Sequence, residues 1–248
     1  YSADGRYLAT AGEDGALRLW TAEGAPLPLT IGGVAALRSA AFSANGEAVL
    51  VAAGDAAEIR DRENGAQRVM FKGHRGPVLS ASYARAASRV ITASEDGTAI
   101  VWNADDGSII STLGGHADIV RSAALSPDGE TALTTSEDMI ARLWDASSGT
   151  LLMELSGHGA GVGGGAFSPD GSMVVTTSDD ASARLWETRS GKLLTELAGH
   201  KGWVFSAAFS PDGARVATVS EDGAAIIWDV ADGRRLAVLQ GDGRALFG

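Results

Sequence analysis

The chain has 248 residues, 45% hydrophobic and 21% charged, the composition of a soluble globular protein with one large all-β domain or two small ones. Its net charge of −11 argues against nonspecific nucleic-acid binding, which needs a positive surface, and favours a basic partner or plain solubility. It has no cysteine, which excludes disulfides and thiolate metal sites, and no apolar run approaches the roughly 18 residues of a membrane span. Cysteine usage does not choose a compartment; the working expectation is a cytoplasmic one. The chain begins at Tyr1 with no leader pattern, and is read as a processed, trimmed or excerpted piece.

Tryptophans set the repeating unit. Trp102, Trp144, Trp186 and Trp228 are 42 residues apart, and Trp20 lies 82 before Trp102. In chain order, the first unit carries a worn turn at Ser2-Ala3-Asp4-Gly5, then Thr10, Asp14 and Trp20. The second is degenerate. It has Ser43-Ala44-Asn45-Gly46 for its turn and Ile59-Arg60-Asp61 where later units read Leu-Trp-Asp. Counting by register puts Gly33 at its His position, Leu50 at its Thr position and Arg60 at its Trp position, with one residue deleted before Asp55. Units three to six carry Gly-His at 73–74, 115–116, 157–158 and 199–200, and the last three carry Ser-Pro-Asp-Gly at 126–129, 168–171 and 210–213. Each His precedes Tyr83, Leu125, Phe167 or Phe209 by nine residues, and each Trp follows that residue by nineteen. Several independent landmarks in one register establish the repeat.

Each unit reads as four short strands. In the sixth these are Val204 to Phe209, Arg215 to Ser220, Ala224 to Asp229 and Arg235 to Leu239. Pro-Asp-Gly, Glu-Asp-Gly and Ala-Asp-Gly turns separate them, because Gly accepts positive φ and Asp bonds nearby backbone. No segment has a sustained 3.6-residue apolar period, so almost no helix is expected.

Gly-His, Ser-Pro-Asp-Gly, Ser-Glu-Asp-Gly and Leu-Trp-Asp at these spacings resemble the WD-repeat (WD40) family across essentially the whole chain. The resemblance implies an all-β β-propeller of four-stranded antiparallel blades around a channel, with six repeats visible. It also implies a hydrogen-bonded structural set in each blade. These sets are His74, Thr92, Asp96 and Trp102; His116, Thr134, Asp138 and Trp144; His158, Thr176, Asp180 and Trp186; and His200, Thr218, Asp222 and Trp228. A buried indole N–H needs an acceptor, and a Thr hydroxyl supplies one. The chain divides into units 1–31 (completed by 241–248), 32–72, 73–114, 115–156, 157–198 and 199–240 of one domain.

Gly241 to Gly248 aligns with Gly199 to Ser206, opening another unit with Asp242 at the His position. Two arrangements follow. Ala245 to Gly248 start the inner strand of the first blade and close a six-blade ring, or the chain is part of an array of seven or more blades. Closure would hide the sheet edges.

The residues argue against catalysis. All four histidines sit in Gly-His pairs. A His-Asp-Thr constellation that recurs with the repeat is architecture, whereas a catalytic triad occurs once per fold. Gly161-Val162-Gly163-Gly164-Gly165-Ala166 matches a loose dinucleotide fingerprint, but a strand and a turn follow it, where that motif needs a helix. These glycines instead thin a channel-lining strand. The chain is read as no enzyme, and no cofactor or metal is expected.

Two sets of residues are expected to reach the face on which propellers of the resembled family usually bind. The residue before each structural Asp is Glu13, Glu95, Glu137, Asp179 or Glu221, an acidic ring suited to a Lys- or Arg-rich segment, although Glu and Asp are also ordinary turn residues. Three and five residues past each His position stand Pro77 and Leu79, Ile119 and Arg121, Gly161 and Gly163, and Trp203 and Phe205. Trp203 is the one tryptophan outside the repeat position. Trp, Phe and Arg dominate binding hot spots, and Trp203 and Arg121 would wall a notch above the glycine-thinned strand. The expected function is a noncatalytic scaffold that binds a protein or peptide partner at the channel mouth. The alternatives are a regulatory or sensing repeat segment of a larger multidomain signalling protein, and an enzyme with a channel-mouth active site.

Overall fold

The computed structural model describes residues 1–2, 4–12, 14–31, 36–84 and 88–241. The described residues form 23 strands and no helix. The strands make six antiparallel sheets in chain order, five of four strands and the first of three, so the chain is a six-blade propeller. The sixth blade's strands fall at Val204–Phe209, Arg215–Ser220, Ala224–Asp229 and Arg235–Gln240, as the turn residues predict. Its second turn closes on Gly223 at φ 76°, where a side chain would be strained.

Alternation gives each blade two faces. Val175, Ala183, Leu185 and Leu197 form the forward face of the fifth blade, and meet Val216, Ile226 and Trp228 on the back face of the sixth. The fourth blade repeats this with Leu133, Ala141, Leu143 and Leu155 against Val174 and Trp186 of the fifth. The core is therefore a series of apolar layers between blades, with Trp102, Trp144, Trp186 and Trp228 each packed against the blade before it.

The second blade departs from the pattern as expected, but in a different register. Leu50 pairs with Ile59 and Val51 with Glu58, whereas in the fourth blade Leu133 pairs with Leu143 and Thr134 with Arg142. Val51, not Leu50, thus occupies the Thr position. The second turn is one residue short, so counting ten back from Arg60 overshoots by one. Both Leu50 and Val51 are buried. Glu58 and Arg60 form an ion pair of 2.6 Å, and Arg60 Nη1 donates to the Gly65 carbonyl at 3.1 Å. A guanidinium with its own carboxylate thus stands where other blades hold an indole. Gly33 lies outside the described residues.

The layers are interrupted once. Leu197, Leu155 and Leu113 on the outer strands are 0% exposed, but the equivalent Leu239 is 58% exposed. Ala217, Ala225 and Ile227 on the same face of the sixth blade are also only partly buried. Across the seam, Thr10 of the first blade is exposed and Trp20 half-buried, whereas Thr218 and Trp228 are buried. The expected pairing of 245–248 with the first blade lies outside the described residues.

Candidate functional site

The strand register brings together the four residues of each structural set. Thr176 and Trp186 lie on neighbouring strands, and Trp186 Nε1 donates to Thr176 Oγ1 at 2.8 Å. His158 places Nε2 at 2.9 Å from the same hydroxyl and Nδ1 at 2.8 Å from Asp180 Oδ2. The Gly159 N–H also donates to Asp180 Oδ2, at 2.9 Å. The sets around Trp102, Trp144 and Trp228 repeat these bonds, with His–Thr distances of 2.7, 2.7 and 2.8 Å. In the first blade, Trp20 Nε1 donates to Thr10 at 3.0 Å. There Asp14 holds Arg18 at 2.6 Å, where the later blades hold a histidine.

Burial pushes His74, His116 and His158 below the ordinary imidazole value, against the pull of their aspartates. Burial also opposes ionisation of Asp138 and Asp180. For Asp138, Arg142, His116 and the Ala117 N–H outweigh it; for Asp180, Ser182, the Gly159 N–H and His158 do, and both carboxyls fall well below the carboxylate range. An imidazole locked between a carboxylate and a hydroxyl, four times over, holds strands together. It has no free lone pair or proton to offer a substrate.

The two sets of expected binding residues lie side by side. The N–H of each acid donates to the carbonyl of the residue three past the His position. These bonds are Glu95 to Pro77 at 3.0 Å, Glu137 to Ile119 at 3.1 Å, Asp179 to Gly161 at 3.0 Å and Glu221 to Trp203 at 2.9 Å. Acid and neighbour therefore form one annulus on this face. The acids differ in state. Glu95 and Glu221 are exposed. Glu137 and Asp179 are both bound by Arg121, which contacts Glu137 in its own blade and reaches across the junction to Asp179 at 3.0 Å. Glu13 lies outside the described residues.

The bridge accounts for part of the glycine run. A Cβ on Gly161 would stand 2.5 Å from Glu137 Oε2, whereas one on Gly163 would make only ordinary contact with Arg121 Nη1, at 3.5 Å. On the other side, a Cβ on Gly164 would come to 3.0 Å of the Phe205 carbonyl. The thinned strand is thus pressed between the Arg121 bridge and the inner strand of the sixth blade. Trp203 is 48% exposed and meets Phe205 edge-on, with ring centroids 6.5 Å apart and planes at 87°. Ile119 is half-buried beside Glu137.

Met139 was not among the expected residues. It is 47% exposed and sits at φ 67°, in the turn position that Gly15, Gly97 and Gly223 fill elsewhere. The signal is visible in the sequence as Glu-Asp-Met where the first, third and sixth units read Glu-Asp-Gly. Met139 is thus an exposed apolar side chain on a backbone that favours glycine.

Six repeated antiparallel blades, five of them four-stranded, with histidine used as a structural bridge, define a propeller built to present surface. The chain belongs to the family described as WD domain, G-beta repeat, whose family model matches residues 1–21, 65–103, 107–145, 149–187 and 191–229. The matches pass over 22–64, which contains the blade with Arg60 at the Trp position. Comparison with curated proteins finds no match. Propellers of this family are generally protein-interaction scaffolds and typically noncatalytic.

Proposed function

We propose that this propeller is a noncatalytic scaffold that binds a peptide or protein segment across the annulus. Trp203 is the apolar anchor, with Phe205, Ile119 and Met139 around it. Exposed Glu95 and Glu221 attract Lys or Arg in the bound segment. Arg121, Glu137 and Asp179 act as a fixed bridge that holds two blades in place beneath the segment. The observation that carries this reading is Trp203, a large aromatic left half in water on a rigid strand entrance. Burying such a ring contributes about 2–3 kcal/mol or more, the size of a binding hot spot.

The test is selection of binders to the wild-type protein from a random displayed peptide library. Wild-type binders should carry aromatic or aliphatic residues beside Lys or Arg. They should lose roughly tenfold or more in affinity to Trp203→Ala, with its melting temperature unchanged. Glu95→Lys combined with Glu221→Lys should weaken binding and flatten its salt dependence. Binders that are indifferent to both changes would place recognition elsewhere.

A further inference from the structure

We propose that Asn64-Gly65, in the turn between the last two strands of the second blade, is a site of spontaneous covalent modification, where the side-chain amide is lost as ammonia and an aspartate or isoaspartate takes its place. Asparagine is a chemically labile residue, and a following glycine has no Cβ to keep its backbone nitrogen away from the carboxamide carbon. The Gly65 nitrogen bonds to Asn64 Cγ and gives up its proton. The Cγ–Nδ2 bond breaks, and Nδ2 leaves with that proton as ammonia. Water then opens the cyclic imide at either carbonyl. Opening at Cγ gives aspartate, and opening at the backbone carbonyl gives isoaspartate. Water is the one co-reactant, and nothing is oxidised or reduced.

The chain has three asparagines, and the structure chooses among them. Asn103 precedes Ala104, whose Cβ hinders the attack. Asn45 and Asn64 both precede glycine and both are exposed. Their carboxamides are held differently. Asn45 Oδ1 accepts from the Ser43 hydroxyl at 2.7 Å and the Glu47 N–H at 3.1 Å, and Asn45 Nδ2 donates to Glu47 Oε2 at 3.0 Å. Among the described residues, the Asn64 carboxamide makes one bond, from the Ala66 N–H to Oδ1 at 2.9 Å. Both glycine N–H groups close their turns, Gly46 onto the Ser43 carbonyl at 2.9 Å and Gly65 onto the Asp61 carbonyl at 3.0 Å. Each reaction therefore needs its turn to open, and the side-chain bonds decide between the two. Two additional hydrogen bonds on the reacting amide should slow Asn45 roughly tenfold or more relative to Asn64. The attacking nitrogen adds to the difference, since Gly46 is buried and Gly65 half-buried. The aspartate product suits the turn. Asp106 and Asp232 hold the same position in the third and sixth blades, and accept from the Ser108 and Arg234 N–H groups at 2.9 Å as Asn64 accepts from Ala66. An isoaspartate lengthens the backbone by one atom and disrupts the bond with which Gly65 closes the turn.

The test incubates the full folded chain at mildly alkaline pH, beside the same chain unfolded in guanidinium chloride. Peptides are then mapped by mass spectrometry, with fragmentation that separates aspartate from isoaspartate. In the folded chain, conversion at Asn64 should run roughly tenfold or more ahead of conversion at Asn45. In guanidinium chloride the two should convert at similar rates, with Asn103 slower than both. Asn64→Asp should leave the melting temperature unchanged. The proposal is overturned if Asn64 stays an amide in the folded chain, or if Asn45 keeps pace with it there. It is also overturned if the folded-state ratio persists in guanidinium chloride, because the turns then do not set it, or if Asn64→Asp lowers the melting temperature.

Discussion

Replacing Thr176 with valine tests whether the repeated polar set holds the blades together. The change keeps the volume and branching of a side chain that is fully buried, and removes one hydroxyl. That hydroxyl has two duties. Asp180 can only accept, so His158 carries its proton on Nδ1, and Nε2 accepts from the Thr176 O–H. The same oxygen accepts from Trp186 Nε1 at 2.8 Å. Thr176→Val therefore leaves a buried N–H and a buried imidazole nitrogen unpaired. Each orphan costs about 1–3 kcal/mol, together about 2–6 kcal/mol. In a chain of this size each kcal/mol lowers the melting temperature by about 2–4 °C, so calorimetry should show a fall of roughly 4–24 °C. Urea titration should give a lower midpoint, and the Trp186 indole N–H should exchange faster. The second blade already has Val51 at this position without penalty, because Arg60 replaces the tryptophan and no indole N–H needs an acceptor. A loss below about 1 kcal/mol for Thr176→Val would refute this account.

Acid should destabilise the fold in two stages. His74, His116 and His158 are held below 6.5 when folded, so the unfolded chain takes up protons first; their contribution is full above 6.5 and is lost as pH falls below it. Asp96, Asp138, Asp180 and Asp222 are held below 3.8, so a second loss should begin under 3.8, and melting temperature measured against pH should show both. Gly164→Ala should lower stability by about 1–3 kcal/mol, read by urea denaturation, since its Cβ would press on the Phe205 backbone carbonyl and on Thr177. Ala181→Gly should raise stability by roughly 0.5–1 kcal/mol in the same assay, because Ala181 sits at φ 66°.

The repeat was legible because its landmarks are local. Asp-Gly turns, a Thr ten residues before a Trp, and alternation between them define strands whose ends match the structure closely. Where a turn lost one residue, the same counting failed and named Leu50 in place of Val51. The acidic positions were legible in the repeat, but their ion pairs were not. Nothing in the spacing of Arg121 shows that its side chain crosses a blade junction to Asp179, because that distance is set by how two sheets pack. Trp203 stood out as the tryptophan outside the repeat, and remains the most exposed aromatic of the annulus. Met139 was passed over because its unit was read for the residues that match the repeat, and its signal is the one that does not. The bare seam was invisible for a related reason: Leu239 reads the same as Leu197, and only a neighbour distinguishes them.

The seam also changes how the molecule should come apart. A closed ring of equal blades has no preferred place to begin, since every blade is held on both sides. Among the described residues, the bare faces at the first and sixth blades make the array a line with two ends. Opening should then start as fraying, with the end blades exchanging their amides at lower free energy than the third and fourth. The apparent cooperativity of unfolding becomes a count of how many junctions melt together.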